Sequence, residues 1–189
     1  KEPMVLPTAY WGPISYYQSL LKADTVAIEQ WESFPKQTYR NRMLIAGANG
    51  PQLLSIPVGK CESKQYTKDV KISYQSKWQH QHWMALVSAY QHTPYFLYYE
   101  DLFRPFYEKQ YTFLIDLNEE INALVMRLLS HKSTIGRTQE WVKNDLEKYW
   151  QGNTPNYYQI FADKCGFQPN LSIMDMLCNM GVESQLIIK

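Results

Sequence analysis

No apolar run in this 189-residue sequence approaches the ~20 residues needed to cross a bilayer; the stretch Leu124–Leu129 is interrupted by Arg127. The chain opens on Lys1, which leaves room for a removed leader, and a cytoplasmic location is the expectation. A cationic excess is also missing, with 19 Lys and Arg against 18 Asp and Glu. A sequence-independent nucleic-acid binder gains affinity by neutralising phosphates, so that class is set aside. Cysteine is scarce: Cys61, Cys165 and Cys178 are an odd number at unrelated spacings. They make neither a disulfide framework nor a C-x-x-C motif, and free thiols are expected. Neither phosphate-cradling glycine pattern, G-x-x-x-x-G-K-[ST] or G-x-G-x-x-G, occurs, and there is no G-x-S-x-G or H-E-x-x-H.

What is present reads as one mixed α/β domain over residues 1–189, at a length sufficient for a sizeable core. "MVLPTAYW" (Met4–Trp11) starts as a strand and is broken by Pro7. Gly12-Pro13 permits a helix start over Pro13–Lys22, and "DTVAIEQW" follows as a β-branched run. Strand, helix, strand predicts a βαβ unit with parallel strands. "RMLIAGANGPQLLSIPVG" predicts a hairpin around Gly47–Gly50, and "DVKISY" (Asp69–Tyr74) a further strand. The βαβ unit and hairpin are expected to build one sheet within about residues 1–75, with helices packed on it over about 76–189. Those helices are a stripe from Trp78 to Tyr90, one capped by Asn118, and one from cap Ser172 to Gly181, followed by "SQLIIK" as a final strand.

Two places invite chemistry. His80 and His82 lie two apart on a helix and point to opposite sides, so they cannot share a metal, and no metal site is expected. His82 shares a stripe with Trp78, expected largely buried, and is itself expected at the stripe's edge and partly exposed. It reads either as a histidine with one hydrogen-bond partner or as a proton-transfer group. The second place is "FPKQTYRNR" (Phe34–Arg42), which holds Lys36, Arg40 and Arg42 and no acid. It lies past the carboxyl end of the second expected strand, where open parallel sheets bind ligands. A solvated turn and an anion site both fit the composition.

The chain resembles the WbqC-like protein family, encoded among genes for cell-surface polysaccharide. The resemblance rests on Asp24, "TVAI", Phe34, Lys36, Tyr39, Asn41, Arg42, "SIPV" (Ser55–Val58), Trp78, His82, Tyr90 and "PYF" (Pro94–Phe96), and covers Val5 to Phe96. The tail "GFQPNLSIMDMLCNMG" looks like that of the Bacteroidetes branch. Departures are equally definite: the family's two acids fall on Gln30 and Trp31, and its Gln on Ser33. The resemblance implies a transferase of O-antigen-like polysaccharide biosynthesis, acyl, aminoacyl or sugar-modifying. Lys36, Asn41 and Arg42 would hold the anion of an activated donor such as a nucleotide-sugar. Tyr39 and Trp78 would form walls, and His82 would transfer a proton. Arg40, without a family counterpart, is expected to point away. The missing acids motivate the alternative, a catalytically degenerate binding protein or partner subunit. A carboxylate converging on Lys36 and Arg42, Asp24 or Glu29, would separate the two. The cofactor and homo-oligomerisation are both left open.

Overall fold

The computed structural model describes residues 2–60 and 65–189 and confirms the mixed α/β class. Strand β1 (Met4–Leu6), helix α1 (Ile14–Leu20) and strand β2 (Thr25–Ile28) form the expected βαβ unit. β1 and β2 are adjacent and parallel, with Met4 opposite Val26 and Leu6 opposite Ile28. Pro7, which has no N–H to offer a ladder, follows β1 directly. In β2, Val26, Ala27 and Ile28 are all buried, the continuous pattern of a parallel strand covered on both faces.

The hairpin forms from β3 (Arg42–Ile45) and β4 (Gln52–Ser55), antiparallel, with Arg42 opposite Ser55. Its turn carries Gly50 at φ 113°, a conformation that glycine adopts without penalty. The hairpin does not extend the parallel sheet, however; it is a separate two-stranded sheet. The expected strand at Asp69–Tyr74 is also corrected. A 3₁₀ turn covers Thr67–Asp69, and Lys71 and Ile72 make only isolated bridges, to Phe113 and Val58. Burial alternates there because Val70 and Ile72 anchor the segment in the core, but its neighbours among the described residues, 57–59 and 112–114, pair with it too briefly to build a ladder.

The helical stretch opens with α2 (Trp78–Tyr90), whose Trp78, His82, Leu86, Ala89 and Tyr90 are buried on one stripe, and continues with α3 (Phe96–Phe103). Next comes α4 (Leu114–Leu128), which starts a turn earlier than expected. Asn118 is not its cap but a fully buried residue inside it. The third strand of the parallel sheet, β5 (Thr134–Arg137), then pairs with β2, so the order is β1-β2-β5 and β2 is central. This strand comes from the part expected to be helical. A short α5 (Ala162–Cys165) precedes α6 (Ile173–Met180). α6 begins as read, with Ser172 Oγ accepting from Met174 N. It stops at Gly181, whose φ is 55° and where a Cβ would fall 2.4 Å from the Tyr95 ring. The last segment is a short helix, α7 (Ser184–Ile187), not a strand. Among the described residues no helix is long and apolar enough to cross a membrane, and Cys165 and Cys178 are free. Cys61 lies outside the described residues.

Candidate functional site

Thr8, Glu29 and Thr138 each lie just beyond the carboxyl end of a strand of the parallel sheet, and all three are buried. Glu29 is fully buried and its carboxylate accepts from Trp31 N at 2.9 Å, Thr138 Oγ1 at 2.6 Å and Val142 N at 2.7 Å. It thereby ties the exit of β2 to the chain leaving β5. Asn118 on α4 donates through Nδ2 to both Thr8 Oγ1 (3.0 Å) and the Arg40 carbonyl (2.8 Å).

Arg40 is the pivot of this layer. Its guanidinium, 1% exposed, grips Glu32 with two bonds, Nε to Oε1 at 2.7 Å and Nη2 to Oε2 at 3.1 Å. Nη1 reaches Glu147 at 2.8 Å and Thr38 Oγ1 at 3.2 Å. Burial raises the Glu32 carboxyl above the usual carboxylate range, and the bond and charge of Arg40 oppose that shift. Arg40, expected to point away, is instead turned inward into an internal ion pair. The reason is local geometry: residues before Arg42 are not extended. Gln37 sits at φ 62° and Asn41 N bonds back to the Thr38 carbonyl, so the two-residue alternation begins only with β3.

Above Arg40 lies a groove of about 340 Å³ lined by Thr38, Tyr39, Arg42, Leu53, Glu147 and Trp150, among others. Tyr39 and Trp150 meet edge to face at 5.5 Å. Trp150 Nε1 donates to Glu147 Oε2 at 2.9 Å, so this carboxylate is held by Arg40 and Trp150 while its side chain stays 54% exposed. Arg42 makes no ion pair among the described residues.

Of the residues singled out from sequence, Tyr39 and Arg42 share this groove. Lys36 is exposed and does not line it. Asn41 is buried and its amide donates to the Ile56 carbonyl at 2.9 Å, bracing the hairpin. Trp78 is buried, as expected, but inside the core, against Tyr74, His82 and Tyr107. Asp24 lies at the amino end of β2 and Glu29 is sealed in its own bonds, so neither converges on Arg42. The carboxylate that does is Glu147. It was missed because it stands in a 3₁₀ turn (Glu147–Trp150) more than a hundred residues downstream. The only local signal is the three-residue spacing that brings Trp150 onto it.

His82 is not at the edge of its stripe; it is 4% exposed. Its Nε2 lies 3.0 Å from the Ser55 carbonyl, which can only accept, so Nε2 carries the proton. Nδ1 then accepts from Tyr10 Oη at 2.9 Å, Tyr10 accepts from Tyr107 at 2.7 Å, and Tyr107 accepts from Trp11 Nε1 at 3.2 Å. Every member of this chain is satisfied with a neutral imidazole. Burial lowers the His82 pKa from its ordinary 6.5 to about 4. Below pH 6.5 the unfolded chain binds a proton that the folded one refuses until about pH 4. The contribution of His82 is thus whole above 6.5 and is lost as pH falls toward 4, about 3 kcal/mol in all. The stability difference between wild type and His82→Asn, followed by urea unfolding from pH 7 to pH 4, should shrink by that order. A difference that stays flat with pH would mean that the imidazole is not held neutral.

Among the described residues no three His, Cys, Asp or Glu side chains converge as metal ligands. The chain is thus an α/β protein whose polar network lies past the carboxyl ends of its parallel strands, beside a groove with one free cation and one anchored carboxylate. It belongs to the WbqC-like protein family, whose profile matches residues 8–151. The match takes in Glu147 and Trp150 and ends before α5. No curated protein and no solved structure matches the chain.

Proposed function

We propose that this chain is a transferase that grips an activated, anionic small-molecule donor, a nucleotide-sugar or similar, in the groove of Tyr39, Arg42, Glu147 and Trp150. The carrying observation is that an unpaired guanidinium and a half-exposed carboxylate line the same groove beside the Tyr39 ring. Arg42 suits a bidentate grip on a phosphate or carboxylate of the donor. Tyr39, half-buried, offers ring surface to a base or sugar, backed by the buried Trp150 that stacks on Tyr16. Glu147 acts as general base: it takes the proton of an acceptor hydroxyl or amine as that atom bonds to the donor's electrophilic centre. The electron pair of the breaking bond departs with the anionic leaving group that Arg42 holds. Arg40 and Trp150 orient the carboxylate for this step, a part that the buried His82, with both nitrogens engaged, does not take. The setting in surface-polysaccharide biosynthesis comes from the family resemblance.

Calorimetric titration with a panel of nucleotide-sugars tests the reading. Arg42→Ala should weaken binding roughly 10- to 100-fold, the loss of a charge-assisted contact. Glu147→Gln should leave affinity within a few-fold and slow turnover by about 10²–10⁴. Unchanged affinity in Arg42→Ala would move the site elsewhere. Binding without turnover for every acceptor tried would favour the non-catalytic binding protein.

A further inference from the structure

A second concave surface, with a different character, runs between α4 and β5. It encloses about 660 Å³, within the usual range for small-molecule sites. From the helix, Ile115, Glu119, Asn122 and Met126 project into it at the spacing of one stripe, with Ser130 following just past the helix end; from the strand, the alternate residues Ile135 and Arg137 do so. Its floor is apolar, made by Ile28, Ile115, Met126 and Ile135. Ile115 and Met126 are about 16 Å apart along the helix, so the cleft is long.

Its two ends differ in charge. At the end near the start of α4, Arg137 is consumed: Nη2 donates to Asp116 Oδ1 at 2.7 Å and to Glu119 Oε2 at 2.9 Å, two acids for one cation. At the other end stand Arg127, His131 and Lys132, and Arg127 and Lys132 make no ion pair among the described residues. Ser133 Oγ gives its proton to the Ala23 carbonyl (2.7 Å), so it accepts from His131 Nε2 (2.9 Å). The imidazole is thereby turned with Nδ1 unengaged.

We infer that the α4–β5 cleft is a second ligand site, built for a linear aliphatic chain carrying an anionic head, a carboxylate or a phosphate. The head sits by Arg127 and Lys132, with the His131 ring beside them, and the tail lies over Met126 and Ile135 toward Ile115. A purely polar anion would leave the floor wetted, and a neutral hydrocarbon would leave the cations without a partner. The apolar length and the one-sided charge together select a molecule with both parts. This site is separate from the Arg42 groove and does not rest on the transferase reading. Asn118 links the two regions, donating to Thr8, which lines the cleft, and to the Arg40 carbonyl.

The test is titration of the full chain with hexanoate, octanoate, decanoate and octyl phosphate, below their micelle concentrations, with octyl glucoside as the neutral head. Each added methylene should tighten binding about 3- to 4-fold. Octanoate and octyl phosphate report which anionic head is preferred, and both should exceed octyl glucoside. Arg127→Gln should weaken octanoate about 10-fold. Ala123→Trp, at an exposed position lining the cleft, should block binding while the melting temperature stays unchanged. Arg42→Ala should bind octanoate as wild type does, which separates this site from the other groove. Affinity independent of chain length, equal binding of the neutral head, or undiminished binding in Ala123→Trp would overturn the inference. Should Ala123→Trp fail to fold, the Arg127→Gln/Lys132→Gln pair decides: no loss there would overturn it equally.

Discussion

Replacing Arg40 with alanine should lower the unfolding free energy by about 3–5 kcal/mol, because the change strands a buried carboxylate. Glu32 has its two charge-assisted bonds from this one guanidinium and only a longer contact, 3.4 Å, from Thr67. Glu147 adds little to the loss, since an exposed partner contributes about 0–1 kcal/mol. The effect therefore arises from the desolvated Glu32 and should largely vanish when that charge is removed as well. Arg40→Met combined with Glu32→Leu is expected to be near wild type in stability, as apolar replacement of buried ion pairs often is. Urea unfolding at constant slope measures both. A loss under about 1 kcal/mol for Arg40→Ala would mean that water reaches Glu32.

Trp78→Ala should cost a similar amount, about 3–5 kcal/mol, for a different reason. The indole is 2% exposed and packs against Tyr74 at 5.9 Å, His82 at 5.1 Å and Tyr107 at 6.4 Å between ring centres. Its Nε1–H has no protein partner among the described residues, so its whole contribution is area and shape. Trp78→Phe, which keeps a ring and gives up only the unpartnered N–H and part of the volume, should cost roughly 1–2 kcal/mol. Thermal or urea melts of the two variants check this. Equal losses would show that the N–H matters, and two small losses would place the ring at the surface.

The parts of the fold that were legible in sequence are those whose cause is local. β1, α1 and β2 follow from β-branched runs and from Pro7 and Pro13, and α6 from a serine cap and a terminal glycine. What was not legible depends on distant partners. "STIGR" has one apolar residue and a glycine, and becomes β5 only because β2 offers it an open edge. Asn118 carries the signature of a cap, yet its amide is needed in the interior to join Thr8 to Arg40. Tyr39 and Arg42, named from the family resemblance in a stretch past a strand's carboxyl end, line one groove. Arg40 was expected to point away because it has no family counterpart; the turn at Gln37 and the bond from Asn41 N to the Thr38 carbonyl bring it inward onto Glu32. Glu147 carried only the three-residue spacing to Trp150 as a local signal, since its place in the groove arises from a tertiary contact with Arg40.

The position of β2 in the sheet order also has a consequence in time. Its first partner, β1, precedes it by about twenty residues, whereas its second, β5, follows more than a hundred residues later. At ribosomal speeds of about 5–20 residues per second, β2 waits roughly 5–20 s with one edge of "TVAI" unpaired. Through that interval the nascent chain presents an apolar strand edge, the kind of template on which wrong pairings start. Closure of the sheet is consequently a late, non-local event in the life of each molecule, and the Glu29 bonds to Thr138 and Val142 form only when it is complete.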